Sequence, residues 1–424
     1  MLKTISELDD FFLSYMPSSS STGSLRDSRL ERMDVVLKRL GNPERSYKTI
    51  HLAGSKGKGT TASILAVAIN CCHKCGLYRS PHVYDVRERF TLSGAFFPES
   101  DYIDTANEMM ERLSSLEFRP TTFELYTAYA YLLFKNAGCE YAVIETGLGG
   151  RLDATNTIES IMEILLPIEM EHTDILGDTI EKISVEKSKI IKRNSIVVIS
   201  DVSNEAYSIF EKEAQSLGCP IHSFKNEIRG YEHEEQAECS ITSFRINDES
   251  FTYKTKLRSV EIGKNYATAT LALKCLGLMT DDAARAMEAL RIEGRFEERK
   301  VDGRKIVLDV AHTKHSMENL VSAFNMIYER EKTAVVYSSV AGKNYEAMLS
   351  ILLDNFNQLI ITKAGSFKKS EPEILYAKAM EMKKPDQMVY LIHDEKTAYE
   401  HALRLGKVIL ITGSFYLVGE FGGI

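Results

Sequence analysis

The sequence has no run of about eighteen consecutive apolar residues, the length a helix needs to cross a bilayer, so no membrane span is expected. It has no basic stripe. The formal net charge is -8 over 424 residues, spread across both halves, which argues against a nucleic-acid surface. Any site for an anionic nucleotide must therefore be built from local donors. A disulfide framework is also missing. Cys71, Cys72, Cys75, Cys139, Cys219, Cys239 and Cys275 are odd in number and irregularly spaced, as expected of reduced thiols in a cytoplasm. Residues 1–15 carry Lys3, Glu7, Asp9 and Asp10 and show no long apolar core before a small-residue cleavage site. No secretion signal is expected, and the expected location is cytoplasmic. There is no internal repeat or low-complexity tract; residues 18–21 read as a short polar turn.

What is present is the balance of a folded protein: 44% hydrophobic and 26% charged residues. The length exceeds one ordinary hydrophobic core, so two domains are expected. Residues 49–53 form a short apolar run, followed by the glycine-rich segment 54–59 and a helical pattern from 60 to about 72. That reads as strand, glycine loop, helix. A second buried strand at 141–144 follows the helix-like run 123–134 and stops at Glu145 before Gly147, Gly149 and Gly150. Strands at 161–166 and 196–199 and helices at 180–191 and 204–217 continue the alternation, and the polar, alternating stretch 223–258 suggests a small antiparallel appendage. Helices at 266–278 and 281–290 precede Glu293-Gly294-Arg295, where the pattern breaks. We place the domain boundary there, giving domains of 1–293 and 294–424. Strands at 305–309, 334–338, 358–362, 388–392 and 408–411 then alternate with helices. The fold class expected is α/β: an N-terminal P-loop ATPase-type parallel-sheet domain and a C-terminal Rossmann-like α/β domain.

The strongest local signal is Gly54-Ser55-Lys56-Gly57-Lys58-Gly59-Thr60-Thr61. Glycines let backbone N–H groups approach phosphate oxygens, and a helix N-terminus adds positive potential. Lys58 can reach terminal phosphates, and Thr60 can touch magnesium or phosphate. The spacing is tighter than the general P-loop pattern, and the bland alternative is a glycine-rich turn with one lysine. Glu145, at a strand end, is a reasonable magnesium ligand, since magnesium takes one or two carboxylates with phosphate oxygens and water. Its alternative is a capped turn whose glycines only reverse the chain. His172 alone reads more naturally as a hydrogen-bonded structural residue, and Lys187 and Lys189 as a solvated charged face. Cys72 and Cys75 form a C-x-x-C in an expected helix, with no second pair to make zinc or redox chemistry. His312 and His315, after a strand ending in Asp309, suggest a polar substrate pocket.

Together these segments resemble the folylpolyglutamate synthase and dihydrofolate synthase family, within the Mur ligase superfamily of ATP-dependent amide ligases. Leu30-Glu31-Arg32-Met33 with Leu40-Gly41-Asn42-Pro43 looks like the family's opening helix, and His51-Leu52-Ala53-Gly54 through Thr60 like its phosphate loop. Ser80-Pro81-His82 with Arg87-Glu88-Arg89 resembles the omega loop. The segments 145–156, 171–177 and 186–192 follow the central motifs. Gly294-Arg295-Phe296, residues 309–315 and residues 412–420 match the second domain.

The resemblance implies an ATP-dependent ligase, a cytoplasmic monomer that adds L-glutamate to a pterin or folate carboxylate through an acyl phosphate, with Mg2+ and a monovalent cation as bound ions. It implies that Gly54, Gly57, Lys58, Gly59, Thr60, Asn265, Arg295 and Asp309 bind ATP, and that Ser80, Glu145 and His172 hold magnesium. Lys187 would carry a carboxylate as a carbamate. Thr122, Phe123, Glu124, Leu125, Asp153, Ala154 and Thr155 would contact the pterin-bearing substrate, and His312 and Ser414 would lie on the amino-acid side. Lys58, Lys187, His172 and His312 are thus the catalytic candidates.

The chain departs from that pattern at several points. Ser55-Lys56 replaces Thr-Asn in the phosphate loop, Thr313-Lys314 replaces Asn-Pro, and Glu261-Ile262 replaces the His-Gln ahead of Asn265. Arg29 stands where glycine is usual, and Arg79 where threonine is common. The competing readings are a ligase of the same fold acting on another carboxylate, such as a cell-wall precursor, and an ATP-binding regulatory module that does not ligate. A nicotinamide dehydrogenase is disfavoured, because residues 54–59 lack dinucleotide-fingerprint spacing.

Overall fold

Short runs rich in Val, Ile, Leu and Ala, with a few buried polar residues such as His51 and Glu163, become strands buried on both faces, as parallel sheets require. A computed structural model describes residues 1–16, 29–365 and 369–423; the turn expected at 18–21 lies outside the described residues. The first sheet has seven strands, in the order Phe90–Leu92, Cys75–Tyr78, Tyr141–Glu145, Lys48–Ala53, Met162–Leu165, Ile196–Ile199 and Ile221–Ser223. Every neighbouring pair is parallel except the edge strand Phe90–Leu92.

Alternation along the strands splits the core by face. Val143 packs with the helices Lys58–Ile69, Val260–Cys275 and Asp281–Ala289, whereas Ala142 and Ile144 pack with Ile5–Ser14, Arg29–Leu40, Glu99–Leu113 and Thr122–Asn136. The helix Thr122–Asn136 is buried almost all round, including Tyr126, Tyr129 and Tyr131, which matches its lack of a polar face. The expected appendage is a three-stranded antiparallel sheet of Ile228–Glu235, Ser240–Ile246 and Glu249–Thr255.

The second large sheet has six strands, ordered Glu297–Val301, Arg304–Asp309, Val408–Thr412, Thr333–Tyr337, Gln358–Ile361 and Met388–Leu391. The first two form an antiparallel hairpin, and the rest pair in parallel with core clusters on both faces. Among the described residues no helix is long and apolar enough to cross a membrane.

Several expected boundaries move. The helix after the glycine loop runs Lys58–Ile69, so Lys58 opens it. The helix expected from 266 starts at Val260, because the Ser259 hydroxyl accepts the Ile262 N–H as an N-cap, and Asn265 therefore sits inside it. Four strands escape sequence reading: Cys75–Tyr78, Phe90–Leu92, Ile221–Ser223 and Glu297–Val301. In Cys75–Tyr78 the disguise is Gly76, whose missing side chain admits the Phe134 ring; a Cβ would stand 2.6 Å from it. Cys75 is consequently in a buried strand, not in the expected helix, while Cys71 and Cys72 are exposed.

The segment 80–89 crosses from the first sheet to the second. Val83 and Tyr84 pack against the Ile306, Leu308 and Val310 cluster of the second sheet, and the Tyr84 hydroxyl donates to Glu297 at 2.8 Å. Arg79, at the base of this segment, pairs with Glu293 at 2.6 Å.

Candidate active site

The central strand Lys48–Ala53 has Tyr141–Glu145 on one side and Met162–Leu165 on the other, so the loops after these three strands converge at one edge of the sheet. The phosphate loop follows the first. Gly54 is pressed onto Leu166, where a Cβ would approach the Leu166 side chain to 2.6 Å, and the Ser55 N–H donates to the Pro167 carbonyl at 2.8 Å. Gly57 has φ +81° and lies against the Asn265 amide; a Cβ would come within 2.7 Å of its oxygen. The Lys58 ammonium folds back onto the Gly54 carbonyl at 2.8 Å.

Glu145 is the last residue of its strand, is buried, and accepts the Ser80 N–H at 3.0 Å. Burial raises its carboxyl, against the pull of Lys58, the Ser80 N–H, Arg79 and Arg295. A Cβ on Gly59 would stand 3.3 Å from a Glu145 oxygen, so the glycine keeps that oxygen accessible from the loop. His172 has the left-handed φ of 48°, and burial lowers its imidazole.

Lys187 is not on a solvated face: it is 1% exposed, beneath the phosphate loop, donating to the Gly54 carbonyl at 2.9 Å and to Glu171 at 3.1 Å. Burial and the nearby Lys58 push its ammonium down to about 8, against the attraction of Glu171. Lys189 does lie at the surface side, paired with Glu213 at 2.8 Å.

The second sheet supplies the opposite wall. Asp309 ends its strand and accepts the Phe296 and Ala311 N–H groups, each at 2.8 Å. Burial raises its carboxyl while Arg295 opposes; burial lowers Arg295, which Asp309 and Glu145 help to keep charged. His312 donates from Nδ1 to the Val310 carbonyl at 2.8 Å, and burial with Lys56 depresses the imidazole to about 4. The ring is therefore neutral, with Nε2 as its acceptor.

The structure brings Gly57, Lys58, Gly59, Thr60, Ser80, Glu145, His172, Asn265, Arg295, Asp309 and His312 onto one cleft of about 310 Å3 between the two large sheets. Gly54 and Lys187 lie beneath it. The other candidates lie outside this cleft, several of them bonded into the fold, while Thr122 Oγ1 and Glu124 Oε1 are buried without a partner. The Glu124 carboxylate closes the capping box of its helix with Thr121 and pairs with Arg32 at 3.3 Å. Asp153 accepts the Leu148 N–H at 2.7 Å and both the N–H and hydroxyl of Thr155, which is in turn bonded to His51 at 2.8 Å. Ser414 is 2% exposed and caps a short helix through the Tyr416 N–H. Thr122 and Ala154 are buried too, and Phe123 packs on Gly147. Leu125 faces a separate pocket of about 380 Å3 with Phe11, Tyr15 and Met109.

Sequence reading missed Arg258 and Ser259, which line the cleft. Arg258 donates to the Gln236 and Ala237 carbonyls, and Ser259 has the glycine-like φ of 124° while donating its N–H to Glu235 at 2.7 Å. The appendage holds both, and no local motif announces them. Glu171, paired with Lys187, opens the segment 171–177 that resembles one of the central motifs.

The Mur ligase middle-domain model matches residues 52–273, and the Mur ligase glutamate ligase domain model matches residues 294–415. The chain belongs to the Mur ligase family. Within that family it is 28% identical to the dihydrofolate synthase/folylpolyglutamate synthase of Bacillus subtilis, over 92% of this chain and 93% of that one. It is 29% identical to a probable dihydrofolate synthetase of Schizosaccharomyces pombe, over 92% of this chain and 96% of that one. The folylpolyglutamate synthase of Mycobacterium tuberculosis, crystallised with ADP and AMPPCP, matches this Mur ligase with a TM-score of 0.85 at 25% identity, over 94% of this chain and 97% of that one.

Among the described residues, no three His, Cys, Asp or Glu side chains gather as a protein-only metal cage. Magnesium needs no such cage, since it binds through one or two carboxylates with phosphate oxygens and water. Glu145 meets the requirement, because Gly59 leaves one of its oxygens facing the phosphate loop.

Proposed function

We propose that this Mur ligase joins the amine of L-glutamate to a pterin or folate carboxylate, at the expense of ATP, through an acyl phosphate. The observation that carries the reading is the single cleft in which the phosphate loop and Glu145 face Asp309, His312 and Arg295. Lys58 and the N-terminus of helix Lys58–Ile69 receive the phosphates, and Asn265, Arg295 and Asp309 the rest of the nucleotide. Glu145, with the hydroxyls of Ser80 and Thr60 and the His172 imidazole, would hold magnesium, which when bound neutralises charge on phosphate oxygens.

The substrate carboxylate attacks the γ-phosphorus, and Lys58 balances the charge that develops as ADP departs. The glutamate amine then attacks the acyl phosphate carbonyl, phosphate leaves, and an amide remains. His312 contributes a neutral Nε2 that accepts a hydrogen bond from the amine on the second-domain side. Water must be excluded throughout. We propose that residues 1–293 and 294–424 act as two domains closing about residues 293–295, that the enzyme works as a cytoplasmic monomer, and that a monovalent cation binds beside magnesium.

Lys187 is proposed to work as a carbamate. Carbamylation needs a neutral amine, which burial favours at this position. It also requires Glu171 to leave the Lys187 nitrogen, since the two would otherwise meet as anions.

The test is ADP release by the purified protein with ATP and magnesium, comparing dihydropteroate, tetrahydrofolate and no pterin, each with and without L-glutamate. Release that needs glutamate and one pterin together is expected. Release with neither pterin, but with a different carboxylate such as a cell-wall precursor, would replace the substrate and keep the chemistry.

A further inference from the structure

Two positions where the chain departs from the pattern it resembles touch one another. Lys56 in the phosphate loop and Thr313 in the second sheet's first loop are 257 residues apart, and the Lys56 ammonium donates to the Thr313 hydroxyl at 3.1 Å. The nearest carboxylate, Glu169, stands farther off at 3.8 Å. The lysine side chain is 27% exposed, so this bond lies in the cleft wall, where water competes less for it.

Thr313 is the N-cap of helix Lys314–Ile327. Its hydroxyl takes part in a capping box with Ser316, and the residue before it is His312. The bond from Lys56 therefore reaches the turn that sets the His312 imidazole.

We propose that Lys56 is a positioning residue for ligation: through Thr313 it holds the first turn of helix Lys314–Ile327, and His312 with it, against the phosphate loop. The inference rests on the ligase reading given above. Its physical content is timing. The acyl phosphate forms on the loop side and the amine arrives from the second-sheet side, so the width of the seam decides whether amine or water reaches the carbonyl. Small displacements between reacting groups have large effects on rate. A loosened seam favours hydrolysis, in which water adds to the carbonyl and phosphate leaves, returning the free carboxylate.

The experiment compares wild type with Lys56→Met, Thr313→Val, the double variant, Lys56→Arg and Thr313→Ser, scoring ADP released against amide formed. Wild type is expected to give about one ADP per amide. Lys56→Met and Thr313→Val should each raise that ratio several-fold and raise KM for the amino acid more than for ATP. The double variant should be no worse than either single one, and Lys56→Arg and Thr313→Ser, which keep donor and acceptor, should largely restore coupling. Hydrogen exchange at residues 313–320 of the ligand-free protein should be faster in Lys56→Met, a readout that does not need turnover. Unchanged exchange would overturn the proposal. So would a raised ratio in Lys56→Met with none in Thr313→Val, because Lys56 would then act on the ligand directly. Amide formation by wild type with one-to-one coupling in every variant sinks this inference alone; no amide from wild type sinks the ligase reading as well.

Discussion

Replacing Lys187 with methionine should make the protein more stable and nearly inactive. The buried ammonium drops from 10.5 to about 8. At about 1.4 kcal/mol for each tenfold, this corresponds to about 3 kcal/mol that the charge costs the folded state at neutral pH. Methionine fills a similar volume without the charge. The Gly54 carbonyl is not orphaned by the change, since Lys58 also donates to it at 2.8 Å, and Glu171, with its side chain 26% exposed, can turn to water. Allowing about 1 kcal/mol for the lost hydrogen bonds leaves a gain of about 2 kcal/mol.

The sign with pH follows from the lowered value. The ammonium's cost is complete below pH 8 and fades as pH rises from 8 towards 10.5, where the unfolded chain also loses its proton, so the gap between the variant and wild type closes in that window. The assay is urea denaturation in buffer stripped of carbon dioxide, at pH 7 and at pH 9.5, beside turnover measured with and without bicarbonate. Wild-type turnover should rise with bicarbonate, while Lys187→Met stays at least about a hundredfold lower and insensitive, a loss of about 3 kcal/mol in transition-state stabilisation. Destabilisation of the variant at pH 7 would refute the burial argument. Wild-type turnover indifferent to bicarbonate would refute the carbamate.

Gly57→Ala should weaken ATP binding about tenfold or more by titration calorimetry, because a residue at φ +81° costs about 1–2 kcal/mol and its methyl would meet Asn265; unchanged affinity would show that the loop reshapes freely. Glu163 lies fully buried in its strand, its carboxylate accepting Ser160 at 2.5 Å and Ser195, and burial raises it to about 7. A raised carboxyl contributes stability that is complete below pH 4.5 and lost as pH rises through 7. Glu163→Gln should therefore exceed wild type by about 2–3 kcal/mol in urea unfolding at pH 8.5 and match it near pH 4.5. Equal differences at both pH values would rule this out.

The parts of the molecule legible in sequence are those whose signal is local. The apolar run before Gly54, the glycines and the helix after them each declare one element, and their order gives the phosphate loop. Glu145 is readable because a carboxylate closing an apolar strand, just before glycines, stands out in the sequence. What could not be read depends on distant packing. Lys187 looks like a surface charge until the phosphate loop is laid over it, and Arg258 enters the cleft only because the appendage folds back. Asp153, Thr155 and Ser414 stand in segments that resemble substrate contacts, yet their side-chain oxygens are bonded to neighbouring backbone and side chains, whereas Glu124 in such a segment keeps one buried oxygen, Oε1, without a partner. The sequence shows a polar residue in the right segment. It does not show which way that residue has already spent its hydrogen bonds.

The segment 80–89 has a consequence for anyone wishing to divide the protein. A cut after residue 293 falls between the large sheets, the natural place to split the gene. Yet Val83 and Tyr84 belong to the first part by sequence and to the apolar cluster of Ile306, Leu308 and Phe421 by packing. Separating the halves would leave two side chains bare on one piece and their socket open on the other. Complementation of co-expressed fragments, not independent folding of either, is the behaviour such a stitch favours.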